Sequence, residues 1–497
     1  MLLIPALVTV ALLLPSCKRQ LPPPGPPKPF AGVTVRVATP KHLPLKELLR
    51  RHGENWKELS GASVEIVSAD SAADIRLLSS AEMPHCVQAG KLGSIPPAAL
   101  EASAFESGQL LRIYRYRLMD WDHKTYAIPV LGDSLVLVYR ADLLELPQHK
   151  KSLEERLHHP MRPNGPATWQ EWALIAEYFS QQANWTEDET PKATPRPSWP
   201  PLPASAADLD REFHAVAASF VRPRVNQEKL DALPQADRDR VLYDYHFDVG
   251  TGEPWIQSPG FLAALKFLQK VHKLRPRAAA DPVQAFRKGE ALFTLASLAD
   301  IRALQEDPHC KDRIAVGRAP GSELYYSPVA GQERALTDSD GNFIPYVASD
   351  GWLGVMAADA AHAEAAQNLL LYLGGPQASL EIALEPRWGG GPTRRNHLDI
   401  DNRSGWFGYG LNKERTNQML LALEAQCSPP IANPVYRLRI PAERAYRDAF
   451  VESIRPALSG QTPPESALAE AAKRWKELGK ADPAAHLKEY RLSIGLD

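Results

Sequence analysis

The chain has 497 residues, 44% of them hydrophobic, and its 57 Lys+Arg against 59 Asp+Glu give a formal net charge of −2. This length exceeds the size at which one hydrophobic core keeps growing, so two or more lobes are expected. The balanced charge gives no electrostatic support for nucleic-acid binding, and beyond the first segment no run of about 20 apolar residues predicts a membrane span.

An apolar run from Leu2 to Leu14 opens the chain and ends at Leu14-Pro15-Ser16-Cys17. About a dozen apolar residues are too few to cross a ~30 Å hydrocarbon layer as a helix, so residues 1–16 are interpreted as a signal peptide. The residues before Cys17 resemble a bacterial lipobox, which implies cleavage there and lipidation of the Cys17 thiol. Residues 17–30 then form the lipidated cysteine and a stiff Pro-rich tether. The sequence thus predicts a protein of the cell envelope, facing the periplasm or exterior and held to the membrane by its lipid.

Strand and helix signals alternate after the tether. The β-branched run at 33–38 predicts a strand, and apolar residues at helical spacing between Leu45 and Leu59 predict a helix that Gly61 ends. Further short strands are predicted at 63–67 and 74–78. This order is typical of a parallel α/β sheet with right-handed crossovers.

The same alternation returns in the later part of the chain. Predicted elements are helix 261–274, strands 292–295 and 314–316, and helices 360–373, 441–454 and 465–478. Segment 180–208 contains a proline cluster that can build neither a helix nor a central strand, so it is predicted to be an inserted surface loop. The loop is expected to be a solvated connector that contains Trp199. The alternative is that Trp199 reaches over a site.

Residues 121–144, WDHKTYAIPVLGDSLVLVYRADLL, resemble a segment of the family 1 extracellular solute-binding proteins, the carbohydrate-type receptors of ABC importers. In that family an aromatic residue and Lys-x-Tyr-x-(apolar)-Pro precede a hinge strand that ends in Tyr and Asp-Leu. Later landmarks in the same order are Thr168–Glu171, Phe286–Phe293, Gly351–Met356, Gly391–Asn396 and Ala457–Leu468. Each motif is weak alone, and their shared order over roughly residues 31–480 carries the resemblance.

The resemblance implies an α/β, two-lobed, periplasmic-binding-protein-like (type II) fold with hinge crossings and a helical C-terminal region. The implied crossings lie near 135–139, 291–296 and 346–355. The assigned lobes are 31–136 with 292–345, and 140–290 with 350–497. Hinged lobes that close around a small-molecule solute would give ABC permease subunits a signal to read.

Sugar recognition needs aromatic platforms beside groups that hydrogen-bond hydroxyls. Trp352 and Trp388 are the candidate platforms, because neighbouring glycines let the backbone approach a ligand closely. The alternative for each is a core tryptophan. Asp133 and Asp350 are candidate acceptors, and the alternative for both is a turn aspartate that bonds its own backbone.

Tyr126 and Arg395 complete the candidate ligand-binding set. Tyr126 is equally suited to a core, and Arg394 and Arg395 lie where the family places an arginine near the rim, with surface solvation as the alternative for at least one. Neither a cofactor nor a metal site is predicted, since Cys-x-x-Cys and His-Glu-x-x-His are missing from the sequence. One disulfide is possible among Cys86, Cys310 and Cys427.

The sequence therefore predicts a lipid-anchored extracytoplasmic solute-binding protein, not an enzyme, that delivers a small solute of the carbohydrate type to an ABC importer. An exported carbohydrate-active hydrolase is one alternative, because two carboxylates such as Asp133 and Asp350 are chemically able to act as acid and base. A ligand-sensing lipoprotein that does not transport is the other.

Overall fold

The computed structural model describes residues 28–41, 43–181, 184, 198–329, 331–336, 341–348, 351–428, 431 and 433–496. The signal peptide, Cys17 and Asp350 therefore lie outside the described residues. Within the described part of the chain, no helix has both the length and the apolar character needed to cross a bilayer.

The described chain alternates helices and strands. The helices are α1 Leu43–Ser60, α2 Met83–Gln88, α3 Pro97–Glu101, α4 Ala141–Glu145, α5 Pro147–Leu157, α6 Trp169–Ser180, α7 Ala206–Val221, α8 Gln227–Asp231, α9 Gln235–Tyr243, α10 Pro259–Val271, α11 Pro282–Arg287, α12 Leu298–Glu306, α13 Ala363–Leu373, α14 Pro376–Leu384, α15 Lys413–Cys427, α16 Glu443–Leu458, α17 Pro464–Gly479 and α18 Pro483–Ser493. The strands are β1 Thr34–Thr39, β2 Ser63–Ser68, β3 Ile75–Leu78, β4 Leu92–Gly93, β5 Asp120–Trp121, β6 Lys124–Thr125, β7 Ala127–Leu131, β8 Val136–Arg140, β9 Phe293–Ala296, β10 Ile314–Gly317, β11 Leu324–Tyr326, β12 Glu333–Ala335, β13 Tyr346–Val347, β14 Trp352–Ala357 and β15 Val435–Tyr436.

The first sheet runs in the order β2–β1–β3–β14–β4, with β7 also paired to β14. Strands β1, β2 and β3 are parallel, as their strand–helix–strand order predicts. Helix α1 buries Leu45, Leu48, Leu49 and Trp56 in the hydrophobic cluster that also contains Val35 and Val37 of β1. Strand β14 joins antiparallel to β3 and β7, so the complete sheet is mixed rather than parallel.

The second sheet, β10–β8–β9, is antiparallel throughout. Its pairing differs from the lobe boundaries predicted from the sequence, because β9 and β10 pair with β8 while β14 lies in the first sheet. Segment 291–296 is accordingly mostly a strand of the second sheet and not a crossing. Both β9 and β14 are largely buried, so neither carries an alternating pattern that would identify its partner sheet.

The hydrophobic clusters define two lobes. The first lobe is the cluster around the first sheet, α1 and α13. The second lobe is built around the second sheet, with α6, α7, α10, α16 and α17 on one side and α12 and α15 on the other. The C-terminal region is helical, as expected.

Residues 198–203 of the predicted inserted loop pack inside the second lobe. Trp199 is buried, and its ring centroid lies 5.0 Å from that of Phe293 and 5.9 Å from that of Phe267. Arg275 donates from Nη1 to the carbonyls of Pro200 and Pro201 at 2.9 and 3.1 Å. Prolines lack an N–H but keep a carbonyl acceptor, so this stretch is buried without forming a helix or strand. The expectation of a solvated connector is therefore wrong for Trp199; residues 182–183 and 185–197 lie outside the described part.

The chain passes between the lobes where Gly132, Gly351 and Gly391 meet, here called the glycine crossing. The Gly391 N–H donates to the Gly132 carbonyl at 2.7 Å, and a β-carbon on Gly132 would lie 2.5 Å from the Gly391 carbonyl oxygen. Gly351 has φ +72°, and a β-carbon there would clash with the Leu131 carbonyl. Only glycine permits this backbone-on-backbone approach.

Candidate functional site

A cavity of about 300 Å³ lies between the two lobes and is here called the interlobe cavity. The first lobe lines it with Arg112, Ile113, Tyr116 and Arg117. The second lobe lines it with Arg222 and with core residues that include Tyr245, Val435 and Tyr490. Tyr436, which packs against the first-lobe core, lines it as well. Its volume is at the lower end of the ~300–1,000 Å³ typical of ligand pockets, which suits a small molecule.

A single wide helical turn presents the first-lobe side of the cavity. Residues Tyr114–Leu118 form a π-helix, in which Tyr114 and Leu118 are buried in the first-lobe core. Tyr116, which is 51% exposed, and Arg117 are left to line the cavity. Such turns are rare and often occur at functional positions.

Pairing of β13 with β15 fixes the opposite wall. Val347 lies in register with Tyr436, and the Val435 N–H donates to the Pro345 carbonyl at 2.9 Å. The buried amide of Asn433 donates to the carbonyls of Pro223 and Val241 at 3.0 and 3.2 Å. Segment 431–438 is thereby held against the end of α7.

Arg222 follows α7 and is only 5% exposed. Its Nη1 donates to the carbonyls of Asn433 and Pro434 at 3.2 and 3.1 Å, and its guanidinium carbon lies 5.5 Å from the ring centroid of Tyr245. Its Nε is buried and has no hydrogen-bond partner among the described residues. Burial lowers the pKa of the guanidinium, which nevertheless stays protonated as arginines in proteins do.

Five tyrosines among the described residues also line the cavity, namely Tyr116, Tyr243, Tyr245, Tyr436 and Tyr490. Burial raises the pKa of Tyr490 to about 12 and also raises the pKa of Tyr245 and Tyr436, so their hydroxyls stay neutral. The rings offer flat apolar faces with hydroxyls at the edge, a combination that suits ligands with both C–H and O–H groups.

Of the residues that the structure describes, one histidine, His246, lines the interlobe cavity. His246 is a neutral imidazole at neutral pH, because burial, followed by the charges of His214 and Arg222, lowers its pKa well below 6.5. Neither aspartate nor glutamate is among the described residues that line the cavity, so no carboxylate pair for acid–base work is found there. In the described part of the chain, no cluster of His, Cys, Asp and Glu has the arrangement of a metal site.

The lobes are in contact next to the cavity. Arg439, 2% exposed, follows β15 and donates to the first-lobe carbonyls of Ser80, Arg117, Leu118 and Asp120. Helix α18 buries Tyr490 in the second-lobe core, while Leu492 packs against the first lobe. These contacts hold the lobes together beside the cavity.

The structure places Asp133 and Trp352 at the glycine crossing. Asp133 Oδ1 accepts from the backbone N–H of Ser134 at 2.7 Å and from that of Leu298, at the start of α12, at 3.2 Å. The bond from Ser134 is that of a turn aspartate that bonds its own backbone, which was the alternative role for Asp133. Trp352 begins β14 opposite Leu131 and is half-buried against the first-lobe core. A ligand role for either stays a prediction, and neither lines the interlobe cavity.

Trp388 is buried in the first lobe. It is 3% exposed, its ring centroid lies 5.4 Å from that of His52, and the Arg51 guanidinium lies 5.7 Å from the same ring. This is the packing of a core tryptophan, the alternative that the sequence left open. The glycines after it serve chain packing, since a β-carbon on Gly389 would meet Ala299 and one on Gly390 would meet Leu131.

The remaining candidates are separated from one another. Tyr126 is half-buried against the first-lobe core. Arg395 is exposed and donates to the Gly108 carbonyl, whereas Arg394 is fully buried and donates to the carbonyls of Phe105, Glu106 and Gly374. Cys86, Cys310 and Cys427 are free thiols, so the possible disulfide is not formed.

The cavity residues were missed because five distant parts of the chain supply them. One signal was present: arginine and tyrosine alternate in Arg112-Ile113-Tyr114-Arg115-Tyr116-Arg117 and adjoin again at Tyr436-Arg437.

Comparison with known proteins identifies the family. Residues 55–402, more than half of the chain, match the family described as bacterial extracellular solute-binding protein. The chain therefore belongs to the bacterial extracellular solute-binding proteins, as the ordered motifs indicated. Membership implies an exported protein of the periplasm or cell exterior. No curated protein sequence gives a significant match.

Solved structures confirm the two-lobed fold. Maltose-bound MalE3 of T. maritima superposes with a TM-score of 0.59 at 20% identity, covering 90% of this chain and 100% of that one. The sugar-binding protein MalE of Xanthomonas citri gives a TM-score of 0.61 at 14% identity, covering 94% of this chain and 100% of that one. A solute-binding protein of Agrobacterium vitis S4 with bound D-mannitol gives a TM-score of 0.58 at 16% identity, covering 90% of this chain and 99% of that one. At these identities the likeness concerns the fold.

Proposed function

We propose that this protein is a lipid-anchored receptor that captures a small carbohydrate or polyol in the interlobe cavity and delivers it to the permease subunits of an ABC importer. The observation that carries the proposal is that residues of both lobes line one cavity. A solute that contacts both lobes stabilises the closed arrangement by its differential affinity for that arrangement.

Two further observations support a carbohydrate or polyol. Tyrosine faces and hydroxyls line the cavity, which matches alternating C–H and O–H groups. Two proteins of the same fold carry maltose and D-mannitol. The lipid anchor rests on Cys17 and the apolar run before it.

A thermal-shift screen of the purified protein against neutral and acidic mono- and disaccharides and polyols tests solute binding. A solute at 100 times its dissociation constant adds about 2.7 kcal/mol of stability, which raises the melting temperature measurably. Tyr436→Ala should abolish the shift, whereas Tyr325→Ala, a half-buried tyrosine of β11 outside the cavity, should leave it unchanged. Loss of the shift in Trp352→Ala but not in Tyr436→Ala would move the solute to the glycine crossing. No shift with any member of the panel would contradict the proposal.

Anchoring and delivery have separate tests. Cys17→Ser should release the protein from the membrane fraction, and deletion of the gene should abolish uptake of the solute that the screen identifies. Turnover of a glycan by the purified protein would favour the hydrolase alternative instead. Intact uptake in the deletion strain, with a lost transcriptional response to the solute, would favour the sensing alternative.

A further inference from the structure

We infer that the solute of the interlobe cavity carries a negative charge beside its hydroxyl groups, as an acidic sugar does. This inference rests on the proposed function and specifies its substrate class. It follows from the charge and the hydrogen-bonding capacity of the side chains that line the cavity.

The lining is cationic and is not compensated within the cavity. Arg112, Arg117, Arg222 and Arg437 line it, and the described lining residues include no carboxylate. Arg437 has a partner outside the cavity, since its Nη2 lies 2.8 Å from Glu443 Oε1. Among the described residues, no ion pair involves Arg112, Arg117 or Arg222.

Arg222 differs from the other deeply buried arginines that lack a carboxylate partner. Arg394 makes hydrogen bonds from Nε, Nη1 and Nη2 to backbone carbonyls of the first lobe. Arg439 likewise makes hydrogen bonds from all three nitrogens to carbonyls across the lobe boundary. Toward the described residues Arg222 bonds through Nη1 alone, and its buried Nε has no partner among them. It is thus a buried, incompletely bonded cation that lines a cavity.

Arg222 lines the cavity, so an anionic group of a ligand there would lie close to its positive charge. Burying a charge without a partner costs free energy, whereas a carboxylate or phosphate forms paired hydrogen bonds with a guanidinium. The charged groups of the lining are all donors, because arginine donates only, whereas the neutral tyrosine hydroxyls can donate or accept. An anionic group, which only accepts, complements this surface better than a hydroxyl does.

Isothermal titration of the purified protein tests the inference with matched ligands: glucose, glucuronate, glucose 6-phosphate, D-mannitol and inorganic phosphate. We expect at least one acidic sugar to bind tenfold or more tightly than its neutral counterpart, and the two acidic arms to identify carboxylate or phosphate. Arg222→Gln should weaken that binding 10- to 100-fold. Arg50→Gln, the same charge change at an exposed position of α1, should have no effect.

Arg112→Gln serves as a second variant if Arg222→Gln does not fold, because Arg112 is exposed at the cavity edge. It should weaken acidic-sugar binding several-fold and leave neutral-sugar binding unchanged. Preference for neutral sugars, unchanged binding in these variants, or equal binding of inorganic phosphate would overturn the inference. Neutral-sugar binding at the cavity would leave the proposed function intact, whereas failure of every sugar and polyol would remove both.

Discussion

The glycine crossing and the interlobe cavity differ in what their polar groups do. At the crossing, Asp133 bonds the backbone of Ser134 and Leu298, and the glycines let chain passages touch. In the cavity, Arg222 Nε has no partner among the residues that the structure describes, and five tyrosines line the open volume. At the crossing the polar and small residues hold chain passages together, whereas the proposed ligand chemistry of the cavity rests on residues that no family motif contains.

Trp388→Ala gives the largest expected effect. If Trp388 is a core residue of the first lobe, its truncation should lower the free energy of unfolding by about 3–5 kcal/mol and leave solute affinity unchanged. Urea unfolding and isothermal titration measure the two quantities. An unchanged unfolding midpoint together with lost binding would instead make Trp388 a ligand platform.

Arg439→Met and Arg394→Met compare a link between the lobes with one inside a lobe. Each removal leaves several buried carbonyls without a donor, so we expect a loss of about 3 kcal/mol in both variants. Of these two variants, only Arg439→Met should enlarge the radius of gyration of the ligand-free protein in small-angle scattering. Arg439 bonds across the two lobes, whereas Arg394 bonds within the first lobe. Equal radii for the two variants would show that Arg439 does not hold the lobes together.

Gly351→Ala tests the glycine crossing against a matched control. Gly460 also has a positive φ, +78°, but a β-carbon there would meet nothing within 4 Å. Gly460→Ala should therefore show the conformational penalty alone, about 1 kcal/mol. Gly351→Ala should cost about 2 kcal/mol more in chemical denaturation, since its β-carbon also clashes with the Leu131 carbonyl. Similar losses in the two variants would mean that the passages are not tightly packed.

Acid should destabilise the region beside the crossing through His397. The backbone N–H of Thr393 donates to Nδ1 of His397 at 3.3 Å, so the buried ring is neutral, and burial lowers its pKa to about 3. The unfolded chain binds a proton near pH 6.5, so this stability is complete above that pH and is lost as pH falls toward 3. At pH 5 the loss is about 2 kcal/mol relative to pH 7. His397→Gln, which does not titrate, should reduce the difference in unfolding free energy between pH 7 and pH 5 by this amount; an unchanged difference would exclude His397 as its source.

Local patterns predicted the elements well because they depend on neighbouring residues. The β-branched run at 33–38 became β1, Gly61 followed the end of α1, and the C-terminal helices formed where apolar spacing placed them. Strand pairing was harder to predict, because β9 and β14 are largely buried and their sequences do not indicate the sheet to which each belongs. Trp199 shows the same limit, since a proline-rich composition indicates irregular backbone but not its burial.

The candidate site was harder to predict than the fold. Asp133, Trp352 and Trp388 were chosen from residue type and adjacent glycine, and the structure gives those glycines packing roles at the crossing or beside it. The cavity combines residues near 115, 222, 244, 435 and 490, and no single segment contains enough of them to reveal it. The sequence does not show which distant segments lie close together in the fold.

A crystal structure with the solute from the screen bound tests the central claim most directly. We predict electron density for the solute in the interlobe cavity, in contact with Tyr116 or Arg117 of the first lobe and with Arg222 or Tyr245 of the second. Density confined to one lobe, or lodged at Trp352 and Asp133 with the interlobe cavity empty, would contradict it.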